Sequence, residues 1–247
     1  MSKRQSPQSM IDGVIRMPGP CPDSGFECFH GYGVMGLTFV SGHVLALRYW
    51  SRSSIGPGYT SVWHRDPQEG WSFWSTQSPE TSCNRYTGES ARETRQTPIA
   101  VTWSSGDRMR VAAPDVGLDW TVDIGSTLMT RVMGVVLRRL PWSVRTHPVF
   151  LKTMGPVGGR ALAIGSFNMT GKMPNGQTFV AAPSAMWVVR QSSARIGDID
   201  LGPVGPLPRR AALLDFLIPQ RGIVAAGSAY FEELDPDRHS TILVSPA

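Results

Sequence analysis

Turn-forming residues recur along the whole chain, and they constrain its fold more than any other feature. The 247 residues include 26 glycines and 20 prolines. They fall at intervals of about ten residues, which is the usual spacing of turns between short strands. This pattern predicts a mainly β fold of antiparallel strands in barrels, with two small barrels or one large, partly closed barrel as the alternatives.

The clearest hairpin in the sequence lies between residues 59 and 76. Residues 59–65 and 71–76 have strand composition, and Asp66-Pro67-Gln68-Glu69-Gly70 supplies a proline and a glycine for the turn between them. A side-chain period of two places aromatic and polar residues on both faces of each strand. Because ligand pockets are mostly apolar with a few polar groups, we predict that this hairpin lines a cavity.

The pattern changes once, near the middle of the chain. Residues 126–140 and 146–154 have helical spacing of apolar side chains, with Ser126 and Thr146 as caps and Pro156 after the second helix. We therefore predict an N-terminal arm at 1–22, a first β-barrel block at 23–124, a helical insert at 125–156 and a second β-barrel block at 157–247.

Charge and cysteine content restrict the function. The 24 basic residues exceed the 19 acidic ones and are scattered without an aromatic–basic repeat, so we predict no nucleic-acid partner. Cys21, Cys28 and Cys83 have no Cys-x-x-Cys spacing, and we predict neither a disulfide nor a metal site. The N-terminus has no apolar signal region and no apolar run of about 18 residues occurs, which predicts a cytoplasmic protein without a membrane span.

No motif for nucleotide, phosphate or catalytic metal binding is present. The sequence has no Gly-x-Ser-x-Gly elbow, no P-loop, no His-Glu-x-x-His and no dinucleotide fingerprint after a strand. Gly158-Gly159 precedes a predicted strand, so it has no helix N-terminus that would hold a phosphate. We predict that the protein uses no cofactor.

Candidate catalytic residues are therefore side chains on the strands. His64 and Asp119 each lie beside a tryptophan in mid-strand, where an apolar wall can shift a pKa, so we predict an acid–base pair. Asp215 lies in an otherwise apolar strand and is a third candidate, with a structural ion pair to Arg221 as the alternative. Lys152 is either a Schiff-base nucleophile or a surface lysine. The predicted substrate-binding residues are aromatic: Tyr59, Trp63, Trp71, Phe73, Trp74 and Trp120.

Several segments resemble a known family. The tryptophan-rich strands, the helical insert, LDWTVDI at 118–124, AAGSAYFEELD at 225–235 and Gly31-Tyr32-Gly33 resemble the lipocalin-like carotenoid hydratase and AttH group. The resemblance implies two calycin-type barrels. It also implies chemistry like that of relatives that hydrate, cyclise or rearrange isoprenoid and polyketide skeletons.

Two functions remain open. The first is a cofactor-independent lyase or hydratase, isomerase or cyclase that uses acid–base chemistry on a hydrophobic small molecule, such as a terpenoid, steroid or polyketide. The second is a non-catalytic carrier with the same cavity. The predicted partner is in both cases a hydrophobic small molecule, and a homodimer is an open alternative to a monomer.

Overall fold

The computed structural model describes residues 5–17, 19–22, 24–87, 90–165 and 167–240. The helices in these ranges are α1 (Pro7–Arg16), α2 (Leu128–Arg139), α3 (Trp142–Arg145) and α4 (Pro148–Leu162). The strands are β1 (Phe26–Thr38), β2 (Val44–Ser53), β3 (Tyr59–Arg65), β4 (Trp71–Ser75), β5 (Ala91–Gln96), β6 (Ala100–Ser105), β7 (Arg108–Ala113), β8 (Leu118–Gly125), β9 (Thr170–Lys172), β10 (Thr178–Ile196), β11 (Ile199–Asp200), β12 (Ala212–Leu213), β13 (Phe216–Leu217) and β14 (Ile223–Glu232).

Twelve of these strands form one curled sheet. Its order is β5-β4-β3-β2-β1-β14-β10-β8-β7-β6, and both β9 and β11 pair with β10. The strand pairs are antiparallel except for β4 and β5, which run parallel. Strands β12 and β13 form a separate small hairpin. The prediction of a mainly β, barrel-like fold is confirmed.

Strands from the two ends of the chain alternate in the sheet. Strand β14 lies between β1 and β10, and β10 also pairs with β8. The strands of the predicted blocks 23–124 and 157–247 thus share one sheet and do not form two separate ones. Irregular register at Val34/Gly36 in β1 and at Pro183/Ala185 in β10 bends the two long central strands. These bends help the sheet to curl.

The helical part of the chain is longer than the sequence predicted. Helix α1 lies in the segment predicted as an arm, and its Ile11 is buried. Helix α4 runs through Pro156 to Leu162 and contains Gly158-Gly159, which we expected to lie after the helix and before a strand. Pro156 removes one backbone hydrogen bond from the helix without ending it. Gly155 allows the helix to pack closely on the segment that follows it, because a Cβ at this position would overlap the carbonyl oxygen of Phe167.

Apolar clusters cover both faces of the sheet. Along β2, Leu45 and Leu47 belong to a first cluster that also contains Trp120, while Ala46 and Trp50 belong to a second cluster on the other face. By the same alternation, Arg48 faces the second cluster. A third, smaller cluster lies under α2 and α4 and includes Leu137, Leu162, Ile164, Met186 and Ile223.

A disulfide joins Cys21 and Cys28, although the number and spacing of the cysteines did not predict one. Their Cα atoms are 5.8 Å apart. The chain reverses between them at Gly25, whose φ of 81° lies in the left-handed region. Sequence spacing did not indicate this reversal. In the described part of the chain, no helix is long and apolar enough to cross a membrane.

Candidate functional site

A cavity of about 100 Å³ lies against the second cluster. Its walls come from β1, β2, β3, β10, β14, the β12–β13 hairpin and the segment after α4. The lining side chains are mainly apolar, and include Trp50, Trp63, Phe179, Met186, Phe216 and Ile223. No aspartate or glutamate is among the described residues that line it. The cavity therefore has the apolar character that the sequence predicted, but it lacks a carboxylate.

Among the described residues of this lining, Arg48 is the one with a charged side chain. Only 4% of its surface is exposed. Its Nη1 donates hydrogen bonds to the carbonyl oxygens of Val34, at 2.7 Å, and Leu47, at 2.8 Å. Burial lowers the pKa of Arg48 to about 10. The guanidinium therefore remains protonated at neutral pH and places a positive charge in an apolar wall.

Three hydrogen-bond donors in this wall have no acceptor. Arg48 Nη2, Trp50 Nε1 and Trp63 Nε1 are all buried and make no hydrogen bond within the described structure. The side chains of Trp50 and Trp63 do interact with the Cys83 thiol and lower its pKa. A buried donor without an acceptor costs free energy, on the order of 1–3 kcal/mol each. All three donors belong to residues that line the cavity.

A thiol and a phenol lie beside these donors. The hydroxyl group of Tyr59 is 3.2 Å from Cys83 Sγ, and Cys83 lines the cavity. Burial raises the pKa of the Cys83 thiol, and interactions with Tyr59, Trp50 and Arg48 offset part of this rise. Burial also raises the pKa of Tyr59 well above its ordinary value. Both groups are therefore protonated at neutral pH.

A buried carboxylate holds the Cys83 segment in place. Cys83 begins a short 3₁₀ turn, Cys83–Tyr86, whose Arg85 and Tyr86 side chains both donate to Glu27 of β1. Gln177 Nε2 donates to the same carboxylate at 3.2 Å. A carboxylate with three side-chain donors is fixed in orientation, so Glu27 positions the turn that carries the thiol.

The structure brings one of the predicted substrate-binding residues into the cavity lining. Trp63 lines the cavity, and Tyr59 lies behind Cys83. Phe73 packs on Trp63 with ring centroids 5.6 Å apart, and Trp71 stacks on Phe73, so both support the wall from behind. Trp74 and Trp120 belong to the first cluster, on the opposite face of the sheet. The tertiary structure therefore divides the predicted aromatic group between two faces.

His64 and Asp119 do not form the predicted acid–base pair. His64 Nε2 is 2.9 Å from His43 Nδ1, and the His64 ring stacks on Trp74, away from the cavity. Burial, and then the neighbouring His43, lower the pKa of His64 to about 4. Asp119 is exposed and accepts two 2.7 Å hydrogen bonds from Arg110, which hold the pKa of its carboxyl below the ordinary value.

Asp215 is not in mid-strand, as the sequence suggested. It lies in the turn between β12 and β13, where its exposed carboxylate accepts a 2.8 Å hydrogen bond from the backbone N–H of Lys172. The preceding Leu214 has a φ of 52°, which makes this stretch a tight turn and not one continuous strand. Lys152 is exposed on α4. Neither residue lines the cavity.

The sequence reasoning missed Arg48, Trp50 and Cys83. A signal for Arg48 was present, because it is the one charge inside the apolar run Val44–Tyr49 of a predicted strand. A single charged residue in an apolar run was also the reason for considering Asp215 as a catalytic candidate. Cys83 had no such signal, since it lies in a polar connection outside the predicted strands. Among the described residues, no three histidine, cysteine or acidic side chains converge in a way that would hold a metal ion.

Comparisons with known proteins find likeness among solved structures and not among sequences. No family model matches the chain, and no curated protein matches it. The resemblance to the carotenoid hydratase and AttH group therefore has no support from family models. Among solved structures, an acetoacetate decarboxylase from Legionella pneumophila subsp. pneumophila str. Philadelphia 1 is similar over 94% of this chain and 95% of that chain, with 10% identity and a TM-score of 0.41.

Proposed function

We propose that the cavity binds a small, mainly apolar oxo acid and that the protein acts on it as a cofactor-independent lyase. The observation that carries this proposal is the group of three buried donors without acceptors: Arg48 Nη2, Trp50 Nε1 and Trp63 Nε1. We call them the donor group. A carboxylate or an enolate oxygen satisfies all three and neutralises the guanidinium, which removes the cost of a buried, unpaired charge.

The size of the cavity limits the ligand. An engineered apolar cavity of about 150 Å³ holds benzene in another protein, whereas this cavity has about 100 Å³. The best fit is therefore an acid with a short carbon chain. The sequence suggested terpenoids, steroids and polyketides as ligands. These molecules are larger than the cavity, and they would fit only if the flexible methionine side chains of the wall moved.

The protonation states of the cavity favour one reaction class. Arg48, Cys83 and Tyr59 are all protonated at neutral pH, so none of these groups is available as a general base. Isomerisation begins with removal of a proton and needs such a base. Loss of carbon dioxide from a β-oxo acid does not. In that step the bond to the carboxylate carbon breaks, and the electron pair forms an enolate.

In this reaction the donor group would stabilise the negative charge on both the carboxylate and the enolate oxygen. Negative charge leaves the carboxylate and develops on the enolate oxygen, which lies close to it in a β-oxo acid. Preformed donors in an apolar cavity stabilise such a developing charge strongly. The enolate carbon then takes a proton, for which the Cys83 thiol, hydrogen-bonded to Tyr59, is the donor available in the wall. Solvent restores the proton to the thiol.

Two other functions fit the cavity less well or less specifically. Hydration or cyclisation, the chemistry implied by the sequence resemblance, requires a strong acid close to the substrate, and the described lining contains no carboxyl group. A carrier of small carboxylic acids needs the same donor group but no proton transfer. A carrier therefore binds the acid and releases it unchanged.

Binding and turnover distinguish these functions when they are measured separately. We expect short-chain oxo acids to quench tryptophan fluorescence, and Arg48→Met to weaken this binding at least tenfold. Arg52→Met, an exposed arginine on the same strand, is the matched control. Carbon dioxide release that falls at least tenfold in Cys83→Ala, with affinity retained, supports the lyase. Tight binding without release of carbon dioxide supports the carrier, and no binding of any small acid contradicts both.

A further inference from the structure

Helix α2 presents its apolar side to solvent. Large apolar residues at positions 128, 129, 132, 135 and 136 follow the spacing of an amphipathic helix and cover an arc of about 120°. All five are exposed, from 41% for Val135 to 74% for Leu128. The residues that α2 buries are Thr130, Gly134 and Leu137. The helix thus packs on the protein with a narrow side and leaves its wide apolar side uncovered.

The next two helices also carry exposed apolar side chains. Val144 on α3 and Val149 and Val157 on α4 are 39%, 64% and 57% exposed. Eight of the thirteen exposed large apolar side chains in the described structure lie between residues 128 and 157. We call the surface formed by these eight residues the helical face. Such a concentration marks an interaction surface, because scattered single residues are the norm elsewhere.

The charge of the helical segment restricts the kind of partner that can bind this surface. Residues 125–162 contain six basic residues and no acidic one, namely Arg131, Arg138, Arg139, Arg145, Lys152 and Arg160. The rest of the chain has 18 basic and 19 acidic residues, so the whole positive excess lies on the helical segment. A symmetric contact between two copies would bring these cations together without any acidic residue of the segment to pair with them. The partner is therefore anionic.

A basic cleft borders the helical face. Arg16 of α1, Arg138 of α2 and Arg145 of α3 line a cleft of about 490 Å³, and no acidic side chain is among its described lining residues. Arg145 Nε is buried and has no acceptor in the described structure, while Nη1 donates to Ser184 Oγ at 3.2 Å. Arginines that converge without carboxylates are suited to phosphate oxygens.

We propose that the helical face docks on the surface of an anionic phospholipid bilayer. The exposed leucine, methionine and valines enter the boundary between headgroups and acyl chains, and the arginines pair with phosphate groups. Apolar and basic residues on one helix are the usual composition of an interfacial helix that lies on a membrane without crossing it. The helical face is distinct from the donor group, and lipid binding is measured without any ligand of the cavity.

Vesicle co-sedimentation of the full chain tests the proposal. We expect binding to vesicles of phosphatidylcholine mixed with phosphatidylglycerol, weak binding to phosphatidylcholine alone, and release by salt. Val132→Asp with Val136→Asp should weaken binding at least about tenfold, because charged groups do not enter the apolar layer. The matched control is Val40→Asp with Ile199→Asp, two exposed residues outside the helices.

The basic residues are tested in the same way. Arg138→Gln with Arg139→Gln should weaken binding roughly tenfold or more, whereas Arg195→Gln with Arg221→Gln should not.

Three results would overturn the proposal. The first is that the wild-type chain binds neither kind of vesicle. The second is that the wild-type chain is a dimer in sedimentation equilibrium, that Val132→Asp with Val136→Asp makes it a monomer, and that neither protein binds vesicles. The helical face would then be the contact between two copies of the chain. The third is binding of glycerol 3-phosphate that depends on Arg138 while vesicles do not bind, which would assign the cleft to a soluble phosphate.

Discussion

The guanidinium carbon of Arg48 lies 4.4 Å from the centre of the Trp63 ring, and the ring of Phe216 lies 5.3 Å from it on the hairpin of β12 and β13. Two aromatic rings thus hold a buried cation that no carboxylate of the described lining neutralises. The arrangement keeps the side chain in the wall. Its Nη2 makes no hydrogen bond within the described structure.

Replacement of Arg48 should separate ligand binding from stability. Arg48→Met removes a desolvated charge and keeps most of the side-chain volume, so we expect the free energy of unfolding to stay within about 1 kcal/mol of wild type or to rise. Chemical denaturation provides the measurement. A loss of several kcal/mol would mean that the cation is a structural anchor of β2 and not a ligand-binding group.

The His43–His64 pair should make the fold sensitive to acid. The pKa of His64 is lowered from 6.5 to about 4, while nearby Asp66 acts in the opposite direction. Between these pH values the unfolded chain binds more protons than the folded chain. Stability is therefore full above pH 6.5 and falls by up to about 3 kcal/mol as the pH decreases toward 4. His64→Gln should flatten this decrease in denaturation curves, whereas the exposed His147→Gln should leave it unchanged.

Asp119 should be dispensable for activity. It forms an exposed ion pair with Arg110, and such pairs contribute about 0–1 kcal/mol. We expect Asp119→Asn to change the free energy of unfolding by less than about 1 kcal/mol and to leave turnover of an oxo acid within about twofold of wild type. Steady-state kinetics checks this expectation, and abolished turnover with an intact fold would restore the catalytic role predicted from the sequence.

Glu27 should matter for both fold and site. Glu27→Gln keeps the shape of the side chain but removes the charge that Arg85 and Tyr86 contact. Hydrogen bonds to charged groups contribute about 1.5–3 kcal/mol, so we expect a loss of that order in thermal or chemical unfolding. Because the same turn carries Cys83, the release of carbon dioxide should decrease as well. Glu93→Gln, an exposed residue on β5, is the control and should change neither quantity.

The Cys21–Cys28 disulfide should stabilise the start of β1. It closes a short loop, with a sequence separation of 7. Loop-closure entropy for this length predicts a contribution of about 2 kcal/mol. We expect a reducing agent to lower the free energy of unfolding by that amount in the wild type and to have no effect in Cys21→Ser with Cys28→Ser. Equal responses of the two proteins would show that the bond does not stabilise the fold.

Local patterns in the sequence determined most of the strands. The hairpin of β3 and β4 was predicted with its turn at Asp66–Gly70, because the proline and glycine there specify the reversal and the alternation on either side specifies extended chain. Strands β7, β8 and β14 follow the same rule. Helix α2 was also predicted, since its apolar period is a local feature, although its N-cap is Thr127 and not Ser126. The N-cap of α4 is likewise His147 and not Thr146.

Only the tertiary structure decided which face each residue occupies and what it meets there. The alternation of β2 and β3 places Arg48 and Trp63 on one face and His64 on the other, but which face encloses a cavity depends on how the sheet curls and on strands more than a hundred residues away. The donor group likewise depends on long-range packing. The spacing of apolar residues in α2 predicted a helix, but it did not predict that the apolar side of this helix is exposed. An amphipathic pattern specifies two faces and does not specify what either face contacts.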